Sequence, residues 1–370
     1  MSLRLKITLV ILMSSALFFG YLPLFTASDI PYDFERLHIF FFNLCSGGTI
    51  LLHYTENRKK LSPAGTFFLM AAVGYAVLAF FNIYLPAMLL ALILAAIVEK
   101  VRIRRFSPLP FNFFQPDAPV AEKFHQASLL CLSMGLMISA GVMLNNEFLH
   151  LIYLPTLKLN TFFLGFSFPL SLITMSVMFG LMETMKATIP CCLKNIAFWS
   201  VNLGVIVFLV FILFEKMMLQ LMIATILALT VLLIFYLFNQ YAHPLQQKHF
   251  LLSGMGFLVG TAITGILYIL LKFFPHSAPY HEQAHFILRV HTFLSLYGWN
   301  LSGLAIIARL PDFPIRLDSK FIITSHWIIV ALLAPLGNYF RSIAILVTLC
   351  YICFVCLIFF SRKSTDFQVH

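Results

Sequence analysis

Residues 34–55 read Phe34-Glu35-Arg36-Leu37-His38-Ile39-Phe40-Phe41-Phe42-Asn43-Leu44-Cys45-Ser46-Gly47-Gly48-Thr49-Ile50-Leu51-Leu52-His53-Tyr54-Thr55. After Glu35 and Arg36 the run holds no acid, Lys or Arg, and it has the length of about 20 residues that a helix needs to cross hydrocarbon. A second stretch has the same build: Arg289-Val290-His291-Thr292-Phe293-Leu294-Ser295-Leu296-Tyr297-Gly298-Trp299-Asn300. Each carries a histidine shortly after an arginine, with glycine and small polar residues further along. A histidine inside hydrocarbon is costly, so His38 and His291 are the first candidates for function.

The rest of the chain agrees with a membrane solvent. Hydrophobic residues make up 61%, charged residues 10%, and mean hydropathy is +0.94. A soluble domain needs about 25% charge on this count. The expected class is an all-α integral membrane protein of about twelve transmembrane helices. The spans are expected near 5–26, 34–55, 63–82, 84–100, 123–145, 159–182, 195–215, 217–240, 250–273, 285–308, 321–338 and 341–361. Short connections point to one polytopic domain over 1–370. The longest polar stretch, 101–122, has a basic start and prolines at 108, 110, 116 and 119, as expected of an inner-surface loop.

Lys and Arg set the expected orientation. With the N-terminus inside, the inner ends hold Arg4, Lys6, Arg58, Lys59, Lys60, Lys100, Arg102, Arg104, Arg105, Lys123, Lys186, Lys194 and Lys248. Arg309, Arg316, Lys320, Arg362 and Lys363 continue that set, while the outer ends hold Arg36, Lys158, Lys216, Lys272, Arg289 and Arg341. This skew is the positive-inside pattern. It places both termini in the cytoplasm of a bacterial inner membrane. The net charge of +10 then reflects topology and contact with anionic lipid, so the lipid bilayer is an expected partner and nucleic acid is not. The first segment is longer than a signal-peptide core and is expected to stay as the first helix. Cys350, Cys353 and Cys356 form a stripe in the last span that reads as small-residue packing.

Spans 2, 6 and 10 share a pattern: Ser46-Gly47-Gly48, Gly165-Phe166-Ser167 and Gly298-Trp299-Asn300, each in a segment running outside to inside. Their spacing of four helices suggests three four-helix units. Repeats of this kind often place sites at their interfaces.

His38 lies about 6–8 Å below the expected outer surface at 1.5 Å per residue. Gly47 and Gly48, nine and ten residues on, would allow a close approach to the backbone. Neutral imidazole ligates haem iron; the other reading is an interfacial histidine bonded to a neighbouring carbonyl. His291 sits at similar depth. Arg289 and Arg341 stand at the outer rim, suited either to a propionate or to snorkelling. Tyr297, Trp299 and Asn300 bring three hydrogen-bonding side chains into the membrane, which requires an internal face. His53, His125, His150, His243, His249 and His326 are weaker candidates near span ends and loops. No phosphate loop or metalloprotease motif is present, nor a nucleophile elbow. Glu147, Glu183 and Glu215 fall at span ends, which counts against a proton-coupled transporter.

At these two helices the chain resembles the catalytic subunit of haem-copper oxidases, especially the branch with haem b, the nitric-oxide reductases and NnrS-like proteins. The resemblance rests on twelve spans, on His38 followed by Gly47-Gly48, on His291 with Gly298-Trp299-Asn300, and on Arg341 before the last helix. It implies a b-type haem with His38 and His291 as its metal-binding ligands. Gly47, Gly48, Arg289, Arg341, Tyr297, Trp299 and Asn300 would complete the cofactor-binding set. Two registers remain open. Counting from Gly298-Trp299-Asn300, His291 matches the high-spin ligand and Phe293 replaces the low-spin one; sliding by two residues makes His291 the low-spin ligand, paired with His38. The copper ligands are absent, since the sixth span has no histidine and the seventh no His-His pair. No catalytic residue is therefore expected. The implied role is electron transfer, sensing or haem handling, with a respiratory or electron-transfer partner at the outer face. The alternatives are a cofactor-free transporter, or an assembly or structural subunit docking through His276, His281, Glu282 and His285.

Overall fold

The computed structural model describes residues 1–26, 32–154, 156–157, 166–183, 191–273, 278–315 and 317–361. Among them the chain is all helical, with eleven helices long and apolar enough to cross a membrane and a twelfth, shorter one. In chain order they are α1 Leu3–Leu24, α2 Phe34–Glu56, α3 Pro63–Phe80, α4 Tyr84–Arg105, α5 Val120–Leu149 and α6 Phe168–Met182. There follow α7 Cys192–Leu213, α8 Met217–Tyr241, α9 Gln246–Lys272, α10 Glu282–Asp312, α11 Lys320–Gly337 and α12 Arg341–Phe360. The protein is thus a polytopic helical membrane protein. The expected start of the sixth span, with Thr161 to Gly165 and Lys158, lies outside the described residues, as do Lys186, His276, Arg316, Arg362 and Lys363.

Local chemistry sets the helix ends. Asp33 caps α2 by accepting from the Glu35 N–H at 3.0 Å, and Ser62 caps α3 by accepting from the Gly65 N–H at 2.9 Å, with Pro63 at the first helical position. Both caps satisfy donors that the helix itself leaves unpaired. Asn57, at φ 48°, ends α2 in the left-handed region that asparagine tolerates. One boundary departs from expectation. Residues 101–105 continue α4 instead of opening the 101–122 loop, because Arg102 is buried and tied at 2.7 Å to Glu99, one turn back, and to the Ser107 and Pro108 carbonyls. Basic residues in a last turn also suit the helix dipole.

α2, α6 and α10 form the centre of the bundle and pack on one another. The remaining helices surround them: α1 lies on α2 and α12, α3, α4 and α5 follow in sequence toward α6, and α7, α8 and α9 follow toward α10. The three central helices are thus four helices apart along the chain, the spacing of the Ser46-Gly47-Gly48 and Gly298-Trp299-Asn300 segments being two such steps. α2 and α10 also share a local distortion. Each opens into a π-helical stretch just past its histidine, Phe40–Gly48 in α2 and Leu294–Asn300 in α10. Such wide turns are frequent at functional sites. The outer helices expose apolar side chains at mid-length, such as Ile226, Leu229 and Leu349, as a hydrocarbon solvent permits.

Candidate functional site

His38 and His291 occupy seats of the same construction. The His38 ring leans on α1, where its Nδ1 lies 2.9 Å from the Ala16 carbonyl oxygen. A Cβ built on Gly20 would come within 2.5 Å of that nitrogen, so only glycine leaves room for the ring. The His291 ring leans on α9, with Nδ1 2.9 Å from the Thr261 carbonyl oxygen. A Cβ on Gly265 would stand 3.2 Å from this ring. In α2 and in α10 the histidine donates from Nδ1 to a carbonyl of the preceding helix, over a glycine four residues further on. Sequence reasoning found the histidines but missed Gly20 and Gly265; the signal was a glycine four residues after the residue whose carbonyl accepts, on the helix before.

The two seats face different ways. Tyr297 of α10 places its hydroxyl 3.0 Å from His38 Nδ1. Phe293 stacks on Tyr21 of α1 at 5.9 Å and lies 6.1 Å from the Tyr297 ring. The face of α10 that meets His38 thus carries Phe293 and Tyr297, while His291 meets α9. His38 and His291 are thus held by different helices, α1 and α9.

The other expected site residues divide. Tyr297, Trp299 and Asn300 are 1%, 0% and 0% exposed, on an internal face as their polarity requires. Tyr297 serves the His38 seat. Trp299 Nε1 donates to Ser171 Oγ at 2.9 Å, and Asn300 Nδ2 donates to Ser167 Oγ at 2.6 Å. These two bonds fasten α10 to α6. Gly47 and Gly48 are packed by side chains: a Cβ on Gly47 would meet Leu170 of α6 at 2.5 Å, and one on Gly48 would meet Phe68 of α3 at 2.9 Å. Gly298 is backed in the same way by Phe257 of α9. Arg289 is exposed and attracts Glu35 across α2 and α10, and Arg341 is exposed at the start of α12. Glu282 and His285 are exposed on α10.

Whether these residues suit a haem has two answers. The donors suit it. A metal-ligating histidine almost always donates its other ring N–H to a carbonyl or carboxylate, and both rings do so through Nδ1, leaving Nε2 to bind. The glycine surfaces do not offer a flat cleft, because Leu170, Phe68 and Phe257 fill them. Among the described residues no cluster of three or more His, Cys, Asp or Glu could hold a metal ion. The Cys350, Cys353 and Cys356 stripe turns Cys353 outward.

Several further polar groups are buried: His53, His125 and His326 are weaker candidates in the sequence, whereas Asn43, Thr49 and Tyr351 escape it. His326 of α11 is 0% exposed and donates from Nε2 to the Tyr297 carbonyl at 2.7 Å. Phe250, Phe257 and Phe354 surround its ring. The side-chain oxygen and nitrogen of Asn43, the Thr49 hydroxyl, His53 Nδ1, His326 Nδ1 and the Tyr351 hydroxyl are buried without a hydrogen-bond partner among the described residues. A buried polar group left unpaired costs about 1–3 kcal/mol. His53 and His125 stand near the other end of α2, where the Thr55 hydroxyl lies 2.8 Å from His125 Nε2. A cleft of about 450 Å³ lies elsewhere, at the far end of α5, between Asn145, His150 and Leu157.

Comparison with protein families, with curated proteins and with solved structures finds no match for this chain. Its functional reading therefore rests on its own residues.

Proposed function

We propose that this protein binds b-type haem in the membrane, with His38 and His291 each supplying one axial nitrogen from its own seat. The observation that supports this is the repeated seat: in α2 and in α10, an imidazole fixed through Nδ1 to a main-chain carbonyl over a glycine, with Nε2 left to coordinate. Haem would supply one-electron chemistry or gas binding; the chain's own residues orient the imidazoles and exclude water. With no copper ligands, the role is electron transfer, sensing or haem handling rather than oxygen reduction. In this reading the chain lies in a bacterial inner membrane with both termini cytoplasmic. The helix ends nearest His38 then face outward, where Glu282 and His285 would meet an electron-transfer partner.

The test is an absorption spectrum of the detergent-purified protein, expressed with haem supplied, before and after dithionite. One histidine per haem gives a broad five-coordinate reduced spectrum that shifts with carbon monoxide and falls by about half in His38→Ala and in His291→Ala, each variant losing only its own haem. Sharp six-coordinate bands lost in either variant would mean that both histidines serve one haem. A colourless protein would overturn the haem reading.

A second reading has its own observation. The packing of Gly47, Gly48 and Gly298 by Leu170, Phe68 and Phe257 favours a cofactor-free transporter or assembly subunit, in which the glycines serve helix packing alone. A colourless preparation would favour it.

A further inference from the structure

We infer that the Ala16 carbonyl fixes His38 in the tautomer whose proton sits on Nδ1, with Tyr297 a positioning residue whose phenol oxygen is a second acceptor for that proton, and that the main-chain carbonyl of Tyr297 fixes His326 in the opposite tautomer. A carbonyl oxygen only accepts. With the Ala16 oxygen 2.9 Å from His38 Nδ1, a bare Nδ1 would set two lone pairs against each other and forfeit the bond. The proton therefore belongs on Nδ1. The Tyr297 oxygen, 3.0 Å from the same nitrogen, accepts it as a second partner. His38 is 5% exposed and Tyr297 1% exposed, so little water competes for these bonds. His38 Nε2 is then a standing lone pair, ready for a metal centre that takes neutral imidazole.

The other end of Tyr297 does the reverse. Its carbonyl oxygen stands 2.7 Å from His326 Nε2, so that nitrogen carries the proton and His326 Nδ1 is bare. The π-helical stretch Leu294–Asn300 contains Tyr297, and its altered ladder suits a carbonyl that also receives a side chain. One residue of α10 therefore joins α2 and α11 through two imidazoles of opposite tautomer. Two things separate the roles: His38 depends on the phenol oxygen, and His326 only on main chain.

The identity of the metal rests on the haem reading, but the tautomers do not. The experiment is ¹⁵N NMR of the full-length, ¹⁵N-histidine-labelled, haem-free protein at neutral pH, with signals assigned by His38→Gln and His326→Gln. The expected result is protonated Nδ1 with bare Nε2 in His38, and protonated Nε2 with bare Nδ1 in His326. Tyr297→Phe keeps the ring that packs on Phe42 and Tyr351; it shifts the His38 Nδ1 signal and leaves His326 in place. A proton on His38 Nε2, or a His38 signal indifferent to Tyr297→Phe, overturns the inference. In haem-loaded protein the same variant raises the midpoint potential, because the imidazole loses an acceptor that made it a stronger donor, and weakens haem retention roughly tenfold. A coloured variant with neither change overturns the positioning role. A colourless wild type tells against haem alone, and the NMR result then decides the tautomers.

Discussion

The two histidine seats are built alike but finished differently. His38 is 5% exposed and shares its Nδ1 with a tyrosine of α10, whereas His291 is half-buried and, among the described residues, has beside its carbonyl partner only Thr264 of the same helix, at 3.5 Å. One seat is thus closed by long-range packing, and the other stands on a single helix pair. The difference shows how a repeated motif becomes two unequal sites: the local chemistry is copied, and the third partner is not.

The largest effect that can break this comparison is steric. Gly20→Val places a branched side chain where even a Cβ stands 2.5 Å from His38 Nδ1. The ring is pinned between α1 and Tyr297, so the cost is expected at about 3 kcal/mol, the upper range for overpacking. Gly265→Val meets the His291 ring at 3.2 Å, and a half-buried ring can give way; about 1 kcal/mol is expected. Unfolding in mixed detergent and dodecyl sulfate micelles measures both. Equal costs would mean that the seats are equally tight, against the geometry.

A second contrast uses two asparagines of the central helices. Asn300 donates to Ser167 and accepts from Ser171 at 3.3 Å, so Asn300→Leu takes the donor from Ser167 and leaves Ser171 with its Trp299 bond, and is expected to destabilise by about 1–3 kcal/mol. Asn43 has no partner among the described residues although it is 1% exposed. Replacing an unpaired buried amide by an apolar group of similar size is expected to be neutral or stabilising. A thermal midpoint that falls in Asn43→Leu as far as in Asn300→Leu would show that Asn43 is bonded in the membrane, and would make it a candidate ligand-contacting group.

Much of this fold is legible in the residues, because the solvent imposes it. Apolar runs of about 20 residues have few alternatives in lipid, and the twelve expected spans match the helices to within a few residues at most ends. Ser46-Gly47-Gly48 and Gly298-Trp299-Asn300, singled out in sequence as a weak repeat, lie on two of the central helices, though nothing in the residues marked those helices as central. The faces were harder to read. Whether His291 or Phe293 meets His38 depends on the phase of α10, and the π-helical turns that alter that phase in α10 and α2 leave no mark in the apolar pattern. His326 looked like a residue at a span end, yet it is enclosed by Phe250, Phe257 and Phe354 from two other helices. Such enclosure is tertiary information.

The smallest expected effect sharpens the comparison most. At the His38 seat, Tyr297→Phe removes one of two acceptors at hydrogen-bonding distance, a loss of about 0.5–1.5 kcal/mol. At the His291 seat, Thr264→Val removes a hydroxyl 3.5 Å from Nδ1, which is beyond good hydrogen-bond geometry. That hydroxyl already donates to the Gly260 carbonyl at 2.8 Å, as helix threonines do. Valine fills the same volume, so the change is expected to stay within about 0.5 kcal/mol. The pair of variants, measured in the same micelles, therefore isolates what the third partner contributes. If Thr264→Val costs as much as Tyr297→Phe, the two seats are finished alike, and the asymmetry lies only in how deeply each is buried.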